Sequence, residues 1–320
     1  MGDKRTDEIV FPGTEWNSAA PEDHGLDVEK IKRAADDIFE IEKRYGFLLV
    51  KDGLILFERY LRDAAATNHI FSVTKGLGAT LVGIAQQKGM LRVNDLVSDW
   101  LPVHHPDIAE GAEIRHVLNM TASRTPVGSW WQYNSAEILN SIPGILWLAS
   151  GVTPHQFYTE QLREPLGLDF DWPCNDRGWI QIGSRGPLPV IEATHRDMAR
   201  VGHLWLNRGM WRGEQIVDPR FIDAALRPPY PDANGAYGYL WWLNSDEGTW
   251  RTTGGNSASD SRWFPYAPTN VFLALGARGK VMIVVPDHNV IVVSMGDTPQ
   301  EQSANYLDKI MRAVFSFLPE

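Results

Sequence analysis

Residues 71–89 read FSVTKGLGATLVGIAQQKG, and small and apolar side chains recur at helical spacing from residue 73 to residue 88. Gly89 then ends the pattern, as glycine commonly does beyond a helix C-terminus. Each internal glycine costs a helix roughly 1 kcal/mol relative to alanine, so the glycines need a compensating role. The role that we expect is close packing, which predicts that this segment is the buried central helix of the fold.

The start of this helix carries the first candidate for chemistry. Ser72 and Lys75 are three residues apart and therefore share one face of the helix. The Ser72 hydroxyl would lie at the positive end of the helix dipole, where developing negative charge is stabilised. Serine is a poor nucleophile until another group takes its proton, and a buried lysine, alone or through a third group, can arrange that transfer.

Strand patterns lie on both sides of this helix, towards the two ends of the chain. Two short apolar runs, residues 47–51 and 54–60, flank Asp52-Gly53, which is a strong hairpin signal in that setting. One amphipathic helix opens at Asp27, and another is predicted over residues 301–317. Further strands are predicted over residues 239–243, 272–275, 280–285 and 290–295.

The middle of the chain has a different character, because helices and long loops replace strands. Further helices are predicted over residues 114–120, 135–149, 154–162 and 196–207, and long loops over residues 168–189 and 227–237. This order predicts an α+β fold in which both ends of the chain build one antiparallel sheet. We therefore predict a discontinuous domain, residues 1–64 with 238–320, and a mainly helical domain inserted as residues 65–237.

Two other segments are candidates for the site. Tyr133-Asn134-Ser135 follows Trp130-Trp131, and a tyrosine can act as a general base when a nearby cation stabilises its phenolate. The alternative is a packed aromatic ring followed by an ordinary helix cap. The strand at residues 272–279 contains two glycines, which suit either the close approach of a ligand to backbone N–H groups or a simple turn.

Composition excludes several classes of function. The formal net charge of −10 disfavours nucleic acid as a partner, because phosphate binding needs a basic surface. No apolar run approaches the ~20 residues of a membrane span, and no apolar leader opens the chain, so we expect a cytoplasmic protein with a periplasmic location left open. A single cysteine and scattered histidines predict no metal site and no cofactor. The absence of Gly-x-Ser-x-Gly argues against an α/β-hydrolase.

Taken together, these segments resemble the serine β-lactamase and penicillin-binding-protein superfamily, in its class C-like branch of esterases, D-peptidases and 6-aminohexanoate-oligomer hydrolases. The resemblance covers residues 15 to 318 and implies a β-lactamase/DD-peptidase-like fold with the active site between the two domains. It rests on the segments Phe71–Lys75, Leu81–Ala85 with Gly89, Val97–Pro102, Ile114–Thr121, Pro165–Leu168 and Asp197–Gly202.

The resemblance also implies roles for individual residues. Ser72 would be the acyl-accepting nucleophile, Lys75 its partner, and Tyr133 the tyrosine of the family's Tyr-x-Asn motif. The sequence departs from that motif, because Ser135 stands at its third position and Asn134 one place earlier. We include Asn134, Ser135 and Trp131 among the expected substrate-binding residues.

The family's third motif, Lys-Thr-Gly, has no literal copy in the chain. The preferred register places Ala274-Leu275-Gly276 on it, so that the Ala277 N–H would join the Ser72 N–H in an oxyanion hole. A second register uses Ala277-Arg278-Gly279 with the Lys280 N–H. In both registers the lysine that grips a penicillin carboxylate is missing, and Gly276 and Arg278 are expected to contact substrate.

The sequence therefore predicts a metal-independent serine hydrolase that cleaves small esters or amides through an acyl-enzyme on Ser72. One alternative is a β-lactamase or D-amino-acid peptidase that holds its substrate carboxylate with Arg278. Another is an inactive member that uses the cleft for binding or scaffolding. The expected partner in the first two cases is a small ester, amide or lactam, and the oligomeric state stays open.

Overall fold

A computed structural model describes residues 9–103, 105–133, 136–183, 186–252, 258–259, 262–298 and 303–319. Its main sheet has six strands, and each described pair of neighbours in it is antiparallel. The order across the sheet is β2 (Leu54–Tyr60), β1 (Arg44–Lys51), β12 (Val290–Gly296), β11 (Lys280–Val285), β10 (Phe272–Gly276) and β7 (Trp242–Leu243). Strands from both ends of the chain thus lie side by side, as the sequence predicted.

The β1–β2 hairpin turns at Asp52-Gly53. Both residues have positive φ angles, 53° and 81°, which is the conformation that a tight hairpin turn of this kind requires. A Cβ on Gly53 would lie 1.8 Å from the Val10 carbonyl oxygen, so the N-terminal arm packs on the turn. The hairpin signal in the sequence is therefore confirmed.

Helices cover the sheet on both faces. Every residue of β1 from Arg44 to Val50 is buried, and successive side chains of a strand point to opposite faces. Helix α1 (Val28–Phe39) packs against β1 and against the C-terminal helix α12 (Ser303–Phe317), and α9 (His195–Leu206) packs against β1, β11 and β12.

The central helix α2 (Thr74–Gln87) is buried along residues 74–85. Its glycines permit this, because a Cβ on Gly76 would lie 3.0 Å from the Trp241 ring and one on Gly83 would lie 2.5 Å from Val217. The prediction of a buried helix with close contacts at glycine is confirmed.

The other elements are short. The remaining helices are α3 (Val97–Trp100), α4 (Ile114–Asn119), α5 (Ala136–Leu139), α6 (Ser141–Ser150), α7 (Pro154–Tyr158), α8 (Glu164–Leu166), α10 (Pro219–Ala225) and α11 (Pro231–Asn234), with 3₁₀ turns at Pro21–His24, Phe71–Val73 and Pro286–His288. The two-stranded ladders pair β3 (Asn68–His69) with β4 (Glu192–Ala193), β5 (Met210–Trp211) with β6 (Glu214–Gln215), and β8 (Trp250–Arg251) with β9 (Ala258–Ser259).

Three predicted elements differ from the structure. The helix predicted over residues 135–149 is broken at Asn140, since Pro143 has no N–H to donate to the preceding turn. The helix predicted over residues 154–162 continues as a π-helix, Thr159–Arg163, ahead of Pro165. The strand predicted over residues 239–243 is reduced to its last two residues, because Leu240 has a φ of 62° and cannot be extended there. The domain boundaries near residues 64 and 237 stay a prediction.

Candidate active site

Ser72 lies in the 3₁₀ turn Phe71–Val73, directly before α2. Ladder β3–β4 and the bond from the Ile70 N–H to the Ile191 carbonyl fix the chain that leads into this turn. Phe71 has a φ of 48°, a strained conformation for a residue with a bulky side chain. Strain of this kind persists where the surroundings over-determine the backbone, and here it lies directly before Ser72.

Lys75 is the described cation closest to the Ser72 hydroxyl. The Lys75 side chain is 4% exposed, and its Nζ donates a hydrogen bond of 2.8 Å to Ser72 Oγ. The spacing of three residues on the helix brings the two groups together, as predicted from the sequence. Gly183 also lies beside the ammonium group, since a Cβ on it would be 3.5 Å from Lys75 Nζ.

Tyr133 joins this pair. The Lys75 Nζ lies 4.8 Å from the centroid of the Tyr133 ring, which is within cation–π distance. The ring is half-buried and stacks on Trp242 at 5.7 Å, while Tyr237 meets it edge-on at 6.2 Å. Burial and the neighbouring Tyr133 raise the pKa of Tyr237 well above its ordinary value, so Tyr237 is a neutral wall of the site.

The β10–β11 turn approaches Ser72 from the sheet. Gly276 ends β10 and pairs with Lys280 across the turn, and a Cβ on Gly276 would lie 2.3 Å from the Ile70 carbonyl oxygen. This close approach, two residues before Ser72, is possible only for glycine. Ala277 and Arg278 are exposed at the tip of the turn, where Arg278 has a φ of 59°.

The other predicted site residues divide into three groups. Asn134 and Ser135 lie outside the described residues. Trp131 is 3% exposed and packs behind Tyr133 at a centroid distance of 6.2 Å, and Trp242 is likewise buried beside Tyr133. Trp130 is 43% exposed and has the Arg124 guanidinium 4.1 Å above its ring.

Some residues of the site escaped the sequence analysis. Gly183 lies in a loop predicted only as surface or rim, and no local signal ties it to Lys75. Tyr237 lies more than a hundred residues from Tyr133, so only the folded chain shows that the two rings meet.

The described residues contain neither a metal-binding cluster nor a membrane-spanning helix. No cluster of three or more histidine, cysteine, aspartate or glutamate side chains there could hold a metal ion. Of the described helices, none is long and apolar enough to cross a membrane.

Comparison with known proteins gives the family. A model of the beta-lactamase family matches residues 46–314, which is most of the chain. The chain belongs to the beta-lactamase family. This family of serine hydrolases is the one that the sequence motifs resemble, so that prediction is confirmed.

One relative of this beta-lactamase family member is distant in sequence. An uncharacterised protein of Alkalihalophilus pseudofirmus is 21% identical over 305 residues, which cover 83% of this chain and 87% of that protein.

Solved structures share its fold. A proposed 6-aminohexanoate-dimer hydrolase of Bacillus anthracis has a TM-score of 0.70 at 15% identity, covering 96% of this chain and 88% of that one. A beta-lactamase of Mycobacterium bovis has a TM-score of 0.66 at 18% identity, covering 89% and 100%. EstCE1, a hydrolase with promiscuous acyltransferase activity, has a TM-score of 0.63 at 14% identity, covering 90% and 98%. These likenesses confirm the α+β, β-lactamase-like fold.

Proposed function

We propose that this protein is a serine hydrolase that cleaves small esters or amides through an acyl-enzyme on Ser72. The observation that carries the proposal is the contact of one buried ammonium with two groups, a serine hydroxyl and a phenol ring. Lys75 Nζ donates to Ser72 Oγ at 2.8 Å and lies 4.8 Å from the Tyr133 ring. A nucleophile and a cation are thus hydrogen-bonded at the start of a helix, where developing negative charge is stabilised, and the ring of Tyr133 lies beside the cation.

The proposed chemistry assigns both proton transfers of the acylation step to Tyr133. Ser72 Oγ attacks the substrate carbonyl carbon, and Tyr133 takes the hydroxyl proton and returns it to the leaving group. A protonated Lys75 has only donors, so it stabilises the Tyr133 phenolate and does not itself accept the proton. Water, activated by the same Tyr133–Lys75 pair, then releases the acid from Ser72.

The oxyanion of the tetrahedral intermediate needs donors, and the proposal takes them from the Ser72 and Ala277 N–H groups. Support comes from Gly276, whose missing side chain lets the turn come against Ile70, next to Ser72. Losing one donor of an oxyanion hole typically costs ~10²–10³ in rate.

The proposed preference for uncharged substrates rests on how few side chains near the β10–β11 turn could bind a substrate carboxylate. Position 274 is a buried alanine and position 275 a half-buried leucine, so neither can hold a carboxylate. Lys280 is turned inward, and its Nζ donates to Asp297 at 3.0 Å. Arg278 is the exposed cation of this turn, and it is the observation that favours a lactam or D-peptide substrate as the second candidate.

Labelling of the nucleophile tests the proposed function. A fluorophosphonate should add once per chain, on Ser72, by intact mass and peptide mapping. The Ser72→Ala protein should take up none, whereas Ser129→Ala, which changes an exposed serine bonded to Pro126, should label at the wild-type rate. Tyr133→Phe keeps the ring on Trp242 but should slow labelling by at least ~10²-fold, a usual contribution of general base catalysis. Labelling at a residue other than Ser72 would contradict the proposal.

Substrate class is tested with one ester and one lactam. We expect kcat/KM for a short p-nitrophenyl ester to exceed that for nitrocefin by at least ~10²-fold, equivalent to ~2.7 kcal/mol of transition-state binding. Similar values for the two substrates, with selective loss of nitrocefin turnover in Arg278→Ala, would favour the second candidate. A protein that hydrolyses neither substrate and takes no fluorophosphonate label would instead be an inactive member that uses its cleft for binding or scaffolding.

A further inference from the structure

Lys280 has no part in the chemistry proposed above, yet it is among the most buried side chains of the protein. It is 1% exposed, and its Nζ donates to Asp297 Oδ1 at 3.0 Å and to the Gly296 carbonyl. Burial lowers the pKa of Lys280, and the Asp297 carboxylate opposes that shift. A buried ammonium is costly unless its donors are satisfied, so the burial of Lys280 calls for a structural or functional reason.

A second buried cation, Arg44 of β1, also holds this turn. Arg44 is 2% exposed, donates through Nη1 to the Gly279 carbonyl, and donates through Nη2 to Ser294 Oγ at 2.7 Å. Ser294 in turn donates to the Gly46 carbonyl at 3.0 Å. The turn that follows Gly276 is therefore tied to both β1 and β12 through Gly279 and Lys280.

Phe71 connects this turn to the nucleophile. Its ring has Lys280 Nζ at 5.5 Å and Arg278 Cζ at 5.8 Å from the centroid, both within cation–π range. Phe71 also carries the strained φ of 48° and directly precedes Ser72. Holding the Phe71 ring thus holds the backbone that presents Ser72.

The charged and titratable groups around Lys280 come from several parts of the chain, and His195 of α9 is one of them. The Tyr45 ring of β1 lies 5.4 Å from Nζ, and Arg278 and Arg44 contribute positive charge from the turn and from β1. Asp297 follows β12, and its carboxylate also lies 4.0 Å from Arg62. The carboxylate that bonds Lys280 therefore faces several cations, which keep it ionised.

We propose that Lys280 is a positioning residue that fixes the β10–β11 turn against Phe71 and so sets the two donors of the oxyanion hole. This inference rests on the proposed function. Lys280 anchors the Ala277 side of the hole through the turn, and it anchors the Ser72 side through the Phe71 ring. One buried ammonium thereby holds both N–H groups at a fixed separation.

The test compares two lysine variants at opposite ends of the sheet. Lys280→Met keeps most of the apolar stem but loses the charge, and we expect kcat for a p-nitrophenyl ester to fall about tenfold with KM within about twofold. That loss is smaller than the ~10²–10³ that follows from deleting a donor outright. Lys51→Met is the matched control, because Lys51 also bonds a carbonyl, that of His288, and lies beside Asp52 at the far end of β1. It should keep wild-type kcat.

Binding of a trifluoromethyl ketone separates positioning from general damage. This ligand forms an oxyanion on Ser72, so its affinity should fall in Lys280→Met by the same factor as kcat/KM. Asp297→Asn is the second variant, to be used if Lys280→Met fails to fold, and it should lower both quantities in parallel. The positioning role would be overturned by a folded variant that retains wild-type kcat and inhibitor affinity while Ser72→Ala is inactive. Activity retained in Ser72→Ala would instead overturn the proposed function itself.

Discussion

Gly183 illustrates how much a single missing side chain matters near Lys75. Its φ of 107° lies in a region that other residues rarely adopt, and a Cβ would come 3.5 Å from Lys75 Nζ. The contact distance is ordinary, so the φ angle is what would strain an alanine at this position. We predict that Gly183→Ala shifts the backbone beside the ammonium and lowers kcat by ~10–10²-fold, because a misplacement of ~1 Å can cost as much as ~10²-fold. Steady-state kinetics on a p-nitrophenyl ester would measure it.

Gly111→Ala is the control for this residue, since Gly111 also has a positive φ, 78°, but has no atom within 4 Å of a new Cβ. It should lose some stability to backbone strain and keep its kcat. An equal fall in kcat for both variants would mean that backbone strain anywhere in the fold, and not strain beside Lys75, explains the effect.

At the level of elements, the glycines of α2 lower its helix propensity, and the close packing that they permit offsets this loss. Gly83→Ala would raise the intrinsic helix propensity by ~1 kcal/mol, yet its Cβ would meet Val217 at 2.5 Å and Phe221 at 2.6 Å. Overpacking of this kind typically costs ~1–3 kcal/mol, so the contact decides the sign. We predict a lower free energy of unfolding, measured by urea denaturation.

Gly144→Ala in α6 is the matched comparison. Its new Cβ would lie 3.2 Å from Trp179 and 3.3 Å from Leu101, where both neighbours are ends of side chains. The change in stability should therefore be smaller than for Gly83→Ala. If Gly83→Ala instead stabilised the protein, close packing would not be the reason for that glycine.

The elements also show what the sequence could predict. Helix α2, the Asp52-Gly53 hairpin and the Ser72–Lys75 pair depend on spacing within one segment, and local pattern is enough for them. The contacts of Tyr133 with Tyr237 and Trp242, and of Lys75 with Gly183, join segments that are remote in the chain. Such contacts depend on how layers pack, which no residue pattern within one segment encodes.

For the whole molecule, two buried histidines link folding to pH. Burial lowers the pKa of His195 to about 3, with Arg44 adding to the effect, and burial lowers the pKa of His203 to about 4. In the unfolded chain both would titrate near the ordinary 6.5, so below that pH the unfolded state binds more protons. Their contribution to stability is full above about 6.5 and is lost as the pH falls towards the folded values.

We therefore predict that the free energy of unfolding falls between pH 6.5 and 4.5 by up to ~1.4 kcal/mol per histidine for each pH unit. Urea denaturation at several pH values measures the slope. In His203→Gln, which removes one of these titrating groups, the slope should be less steep. An unchanged slope would show that other groups cause the acid sensitivity.

The position of β1 in the sheet has a consequence for synthesis on the ribosome. Residues 44–51 pair on one side with residues 54–60 and on the other with residues 290–296. The β1–β2 hairpin can form early, but the other edge of β1 has no partner strand until β12 has emerged near the end of synthesis. Until then an apolar strand edge is open to pairing with other chains, and such edges invite aggregation. Translation that stalls before β12 would thus release a chain with an incomplete sheet, which is a substrate for chaperones and proteases.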